Sequence, residues 1–218
     1  MLKGLTSYKF KGKTPTDLIV FLHGYGSSGS DLINLSQYME DVFERPYFIA
    51  PNGPFQYEFV GASFPNEYQW YSLIERSREK LIEGSQIASK WLDPFLDSTL
   101  QQFNLTNKNL HLIGFSQGGM VALHTAFKRK DGGAKSVIGI GTTIVAPETL
   151  KDEIISKPKT CFIHGDADTI VPISLGKIAY QYALEAGVEA EFHKMPELGH
   201  FIDFNVIEVM KSFLKKNS

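Results

Sequence analysis

Only one cysteine, Cys161, stands in the 218 residues, which excludes an internal disulfide. It lies in the strand-like run Thr160-Cys161-Phe162-Ile163 with no basic neighbour, so it reads as a buried, inert thiol. No apolar run approaches the ~20 residues of a membrane span. Runs such as Leu18 to Leu22 are far shorter, and no stable membrane insertion is expected. The segment from Met1 to Asp17 holds lysines but no apolar signal core, which points to the cytoplasm. Excess charge is missing too: 22 Lys and Arg stand against 24 Asp and Glu, a net charge of −2. Without a basic stripe to release counterions, nucleic acid is not an expected partner. There is no repeat, low-complexity tract or linker. A chain of this length with 43% hydrophobic residues suits a single domain over residues 1–218.

What is present alternates. Strand-like runs lie at Ser7–Lys11, Leu18–Leu22, Tyr47–Ala50, Leu110–Gly114, Ser136–Ile140, Thr160–His164 and Ala190–Lys194, several of them apolar on both faces. Helical patterns lie at Asp31–Phe43, Ser77–Phe103, Gln117–Lys128, Ile173–Ala186 and Ile202–Lys215. This alternation predicts an α/β fold, a mainly parallel sheet of about seven strands with helices on both faces. In such a sheet chemistry gathers at the carboxyl ends of the strands, so the loops after the strands carry the search.

The loop after Leu18–Leu22 is ambiguous. LIVFLHGYGSSG places Gly24, Gly26 and Gly29 at the G-x-G-x-x-G spacing of a dinucleotide loop. The same stretch could instead present backbone N–H groups to an oxyanion. A dinucleotide fold wants an acid about 20 residues past its glycines, at the end of the next strand. That strand ends Phe48-Ile49-Ala50-Pro51-Asn52, with no acid.

The loop after Leu110–Gly114 is more specific. It reads Gly114-Phe115-Ser116-Gln117-Gly118-Gly119, a G-x-S-x-G between a strand and a helix. A sharp turn of this kind exposes the serine hydroxyl, and a Cβ at either flanking glycine would crowd its neighbours. A serine nucleophile needs a base, and the base needs an orienting carboxylate. Of the six histidines, His111, His124 and His193 fall inside predicted elements. His23 and His164 end strands before a glycine and fit turn-anchoring roles. His200, in the loop Pro196-Glu197-Leu198-Gly199-His200-Phe201, is the best base. For the acid, Gly165-Asp166-Ala167-Asp168 offers two aspartates. Asp166 fits a turn-holding Asx-type bond to nearby backbone, and Asp168, reaching farther, is favoured.

The order Ser116, Asp168, His200, with LHGYGSSG, GFSQGG, GDADTIVP and LGH, resembles the phospholipase/carboxylesterase family of α/β-hydrolases, which includes the acyl-protein thioesterases. The likeness runs from about Leu18 to the C-terminus. It implies a serine hydrolase of carboxylic esters or thioesters, with Asp168 as the acid and no cofactor or metal. It also implies that the backbone N–H groups of Tyr25 and Gln117 form the oxyanion hole. Tyr25 replaces the leucine often found after His-Gly in the thioesterases. Gln69-Trp70-Tyr71 is closer to the bacterial-type carboxylesterases.

Pro51 to Leu73 is rich in aromatics and could wall an acyl pocket or pack on itself. Phe64 and Trp70 there, and Ile144 and Val145 in Thr142-Thr143-Ile144-Val145-Ala146-Pro147, are the pocket candidates. With no arginine cluster to clamp a phosphate, a small-molecule acyl ester of modest size fits better than a phospholipid headgroup. An acyl-protein thioesterase or lysophospholipase and a catalytically idle binding protein are the alternatives, and a homodimer is left open.

Overall fold

The computed structural model describes residues 2–7, 13–59, 66–130 and 132–218. The strands are β1 (Gly4–Ser7), β2 (Asp17–Leu22), β3 (Pro46–Pro51), β4 (Phe55–Gln56), β5 (Tyr68–Gln69), β6 (Leu110–Phe115), β7 (Ser136–Ile140), β8 (Lys159–Gly165) and β9 (Ala190–Met195). The helices are α1 (Gly29–Ile33), α2 (Arg78–Gln102), α3 (Gln117–Lys128), α4 (Leu150–Glu153), α5 (Ile173–Glu185) and α6 (Phe204–Asn217).

Seven strands form one sheet in the order β1-β3-β2-β6-β7-β8-β9. In this sheet only β1 is antiparallel to its neighbour; β3, β2, β6, β7, β8 and β9 run parallel, and β4 and β5 form a separate antiparallel ribbon. Both faces of the sheet are covered, and the strands show why they read as continuous apolar runs. In β2, Leu18, Val20 and Leu22 face a cluster with Leu92 and Leu96 of α2 and Val121 and Ala122 of α3. Ile19 and Phe21 face the other side, with Leu32 of α1 and Met210, Phe213 and Leu214 of α6. The period of two therefore delivers alternate side chains to two cores.

Of the strand expected over Ser7–Lys11, Ser7 lies in β1 and the rest falls outside the described residues. One expectation changes. The helix expected over Asp31–Phe43 is only α1 followed by a 3-10 segment, Asn34–Tyr38. Leu32, Met39, Val42 and Phe43 all reach the core, so their spacing looked helical. The intervening residues, Asn34, Ser36 and Tyr38 among them, are weak helix formers, and the tighter turn seats the same apolar side chains. Among the described residues no helix is long and apolar enough to cross a membrane.

Candidate active site

The carboxyl ends of β2, β6, β8 and β9 lead into the loops that carry Tyr25, Ser116, Asp168 and His200. Because these strands run parallel in one sheet, with only β7 between β6 and β8, four loops far apart in sequence meet at the carboxyl ends of the strands.

Ser116 joins β6 to α3 with φ 54° and ψ −120°, a conformation that L-residues with a Cβ rarely adopt. The surroundings enforce it. Ser116 N–H donates to Ile140 O at 2.9 Å, and Ser116 O accepts from Gly119 N–H at 2.9 Å. The glycines on either side let the strand and helix approach. A Cβ on Gly114 would stand 2.2 Å from Gly118 O, and one on Gly118 would stand 2.0 Å from Leu22 O.

His200 Nε2 lies 2.9 Å from Ser116 Oγ, and His200 Nδ1 lies 2.7 Å from Asp168 Oδ2. A carboxylate only accepts, so the imidazole carries its proton on Nδ1 and turns the Nε2 lone pair to the serine. The Asp168 side chain has no exposed surface. Its other oxygen, Oδ1, accepts from Ile170 N–H and Val171 N–H, both at 2.9 Å. His164 Nε2 donates to Val171 O at 2.8 Å and fastens the far end of the same loop. Burial holds the His164 imidazole below its ordinary pKa, in keeping with a neutral anchor.

The two aspartates divide their work differently from the expectation. Asp168 itself makes the Asx-type bonds to nearby backbone while also holding His200. Asp166 instead clips its loop to the one after β9: Oδ1 accepts from Glu197 N–H at 2.7 Å, and Lys194 Nζ lies 3.1 Å from Oδ2.

The loop after β2 is tied down by His23. Its Nδ1 donates to Gly24 O at 2.7 Å and its Nε2 accepts from Gly53 N–H at 2.8 Å. Burial pushes this imidazole down to about 4, so it is neutral. The Gly24–Tyr25 peptide is trans, so with its carbonyl turned to His23 the Tyr25 N–H points the opposite way. Gly24 is close enough to the serine that a Cβ there would lie 3.3 Å from Ser116 Cβ. The Gln117 N–H is a first-turn donor of α3, which an α-helix leaves without an intrahelical acceptor.

The sequence reading missed the struts beneath this site. Gln117 Oε1 accepts from Trp70 N–H at 3.0 Å and its Nε2 donates to Tyr71 O at 2.8 Å. Trp70 is fully buried, and its Nε1 donates to His23 O at 2.9 Å. It lies beneath the His23 loop without reaching solvent. The Tyr25 hydroxyl donates to the Glu58 carboxylate, which also accepts from Leu73 N–H at 3.0 Å. Thr142 Oγ1 donates to Ser116 O at 2.7 Å. These bonds join residues 15 to 47 positions apart; no local pattern displays them.

Of the pocket candidates, Phe64 lies outside the described residues. Ile144 and Val145 follow Thr142 on the loop after β7 and line a cavity of about 270 Å³ with Ile82, His124 and Leu150. Its lining does not include Ser116 or His200; it lies farther along α3. Ile170 and Phe201, beside Asp168 and His200, are 68% and 54% exposed and give the site an apolar rim.

The sheet order, the strained strand-to-helix turn and the three loops around it define an α/β-hydrolase. Comparison with known proteins agrees. Residues 8–218 match the family model described as Phospholipase/Carboxylesterase. Acyl-protein thioesterase 1 homolog 1 of Dictyostelium discoideum is 26% identical over 215 residues, 93% of this chain and 91% of that protein. Carboxylesterase SOBER1 of Arabidopsis thaliana is 26% identical over 210 residues, 91% of this chain and 89% of that protein. The crystal structure of esterase PE8 is 35% identical, covers 100% of this chain and 99% of its own, and superposes with a TM-score of 0.89. The chain belongs to the phospholipase/carboxylesterase family, and it is an ester hydrolase.

Proposed function

We propose that this hydrolase cleaves carboxylic esters of small to medium acyl groups through an acyl-enzyme on Ser116. The observation that carries the reading is the chain of contacts from Ser116 Oγ to His200 at 2.9 Å and from His200 to Asp168 at 2.7 Å. His200 Nε2 takes the hydroxyl proton as Oγ attacks the acyl carbonyl, and Asp168 stabilises the imidazolium. The oxyanion is held by the Tyr25 and Gln117 N–H groups, each contributing about 3 kcal/mol to the transition state. His200 then protonates the departing alcohol. Water, deprotonated by the same nitrogen, attacks the acyl-enzyme and releases the acid. No step calls for a cofactor.

The apolar rim at Ile170 and Phe201 and the cavity of about 270 Å³ lined by Ile144 and Val145 support a modest acyl chain directed along α3. An acyl thioester is the second reading, favoured by relatives named acyl-protein thioesterases. Rates on p-nitrophenyl esters of increasing chain length, beside an acyl thioester, separate the two. The ester rate is expected to peak at short to medium chains and to exceed the thioester rate. Ser116→Ala is expected to lower kcat by on the order of 10⁶ and to abolish labelling by a fluorophosphonate while the fold persists. Labelling of the variant at the wild-type rate would move the nucleophile elsewhere.

A further inference from the structure

We propose that Cys161, Glu191 and His193 form a binding site for a thiophilic divalent cation such as Zn²⁺, separate from the ester-hydrolysing centre. Parallel pairing sets Cys161 of β8 opposite Glu191 of β9, and Ile163 opposite His193. Residues two apart share a face of a strand, so a thiol, a carboxylate and an imidazole converge on the side of the sheet covered by α6. Their ligand atoms all lie within 4.8 Å of one another. Tetrahedral zinc bonds of about 2.0–2.3 Å set donors roughly 3.5 Å apart, so the three need to draw in by about an ångström.

The platform suits that movement. Cys161 is buried among core residues of α6 and fixes one corner. β9 is the edge of the sheet, and the Glu191 and His193 side chains are 32% and 39% exposed, with His193 Nε2 donating to Glu191 Oε1 at 3.0 Å, a bond that metal binding replaces. Water can complete the coordination, as it does in three-ligand zinc sites. The charges also match: a thiolate and a carboxylate together neutralise a dication. Binding transfers the thiol proton to solvent as the sulfur–metal bond forms. Lys216 of α6, with Nζ 3.5 Å from Glu191 Oε2, competes for the same carboxylate. Linear spacing conceals the set, because one ligand stands a full β-α-β crossover away from the other two.

The test is titration of Co²⁺ into the metal-free full-length chain. The expected result is a thiolate-to-metal charge-transfer band that saturates at one equivalent and is displaced by Zn²⁺. Cys161→Ser should abolish the band. His193→Gln, at the partly exposed edge where folding is not at stake, should weaken Zn²⁺ binding about tenfold or more. Lys216→Gln should tighten it by up to about fivefold. Absence of the band, or Zn²⁺ binding indifferent to His193→Gln, would overturn the proposal. Ser116→Ala should bind the cation as the wild type does, so failure here and failure of the esterase reading are separate results.

Discussion

Asp168 serves two sets of partners at once. Oδ2 meets His200, while Oδ1 meets the Ile170 and Val171 N–H groups. Asp168→Asn can keep the carbonyl toward the loop, but its amide nitrogen then faces His200 Nδ1 as a donor. The imidazole must carry its proton on the wrong nitrogen. The expected outcome is a kcat lower by on the order of 10⁴ with little change in melting temperature. Asp166→Asn, by contrast, removes the Lys194 ion pair and weakens the clip to Glu197 without touching His200. It should lower the melting temperature slightly and leave kcat near the wild-type value. Steady-state kinetics beside thermal melts of both variants decide the matter, and exchanged phenotypes would reverse the assignment. Loop position in the sequence singled out Asp168 but gave its neighbour the wrong task. Asp166 works on residues 28 and 31 positions away, a distance that local turn chemistry does not encode.

The join from β6 to α3 is the element on which the centre depends. Its tolerance is set by backbone contact rather than by side chains. A Cβ on Gly118 would meet Leu22 O at 2.0 Å, so Gly118→Ala must push α3 away from β2. The expected cost is about 1–3 kcal/mol of stability, with a fall in kcat/KM because Ser116 and the Gln117 N–H move with the helix. A melting temperature equal to that of the wild type would contradict this close approach. The join was legible because three signals coincide there: an apolar strand, paired glycines around a serine, and an apolar helical stripe. α3 runs over the predicted Gln117–Lys128. α6 begins two residues later than its pattern suggested, since the Asp203 side chain accepts from Val206 N–H at 2.8 Å and caps the helix there. The ribbon of β4 and β5 was not legible. Each strand has two residues, too few for a period, and the ribbon is anchored by Gln117, Glu58 and Trp70 through contacts that exist only once the sheet has formed.

Across the whole molecule, buried neutral histidines set the response to acid. Burial pushes both His23 and His124 from their ordinary 6.5 down to about 4. Burial also lowers His111 and His164. In the unfolded chain each would bind a proton near pH 6.5, and in the folded chain each resists until a lower pH. Between those limits the unfolded state holds more protons, so stability is fully present above about pH 6.5 and falls as the pH drops toward 4. For His23 alone the shift corresponds to on the order of 3 kcal/mol once the window is crossed. A domain typically has about 5–15 kcal/mol in all, so two such residues take a large share. The carboxylates held low by hydrogen bonds, Asp31 among them, add their loss only at more acid pH. Unfolding should therefore begin while the carboxylates are still ionised. Urea denaturation followed by intrinsic fluorescence at a series of pH values is expected to show stability declining steadily from pH 6.5 to 4. His124→Leu, where the ring lines the cavity beside Ile144 and Val145, should flatten that decline by about one proton's worth of slope. A stability that stays level down to pH 4.5 would mean that these imidazoles reach water or a proton acceptor without unfolding the chain.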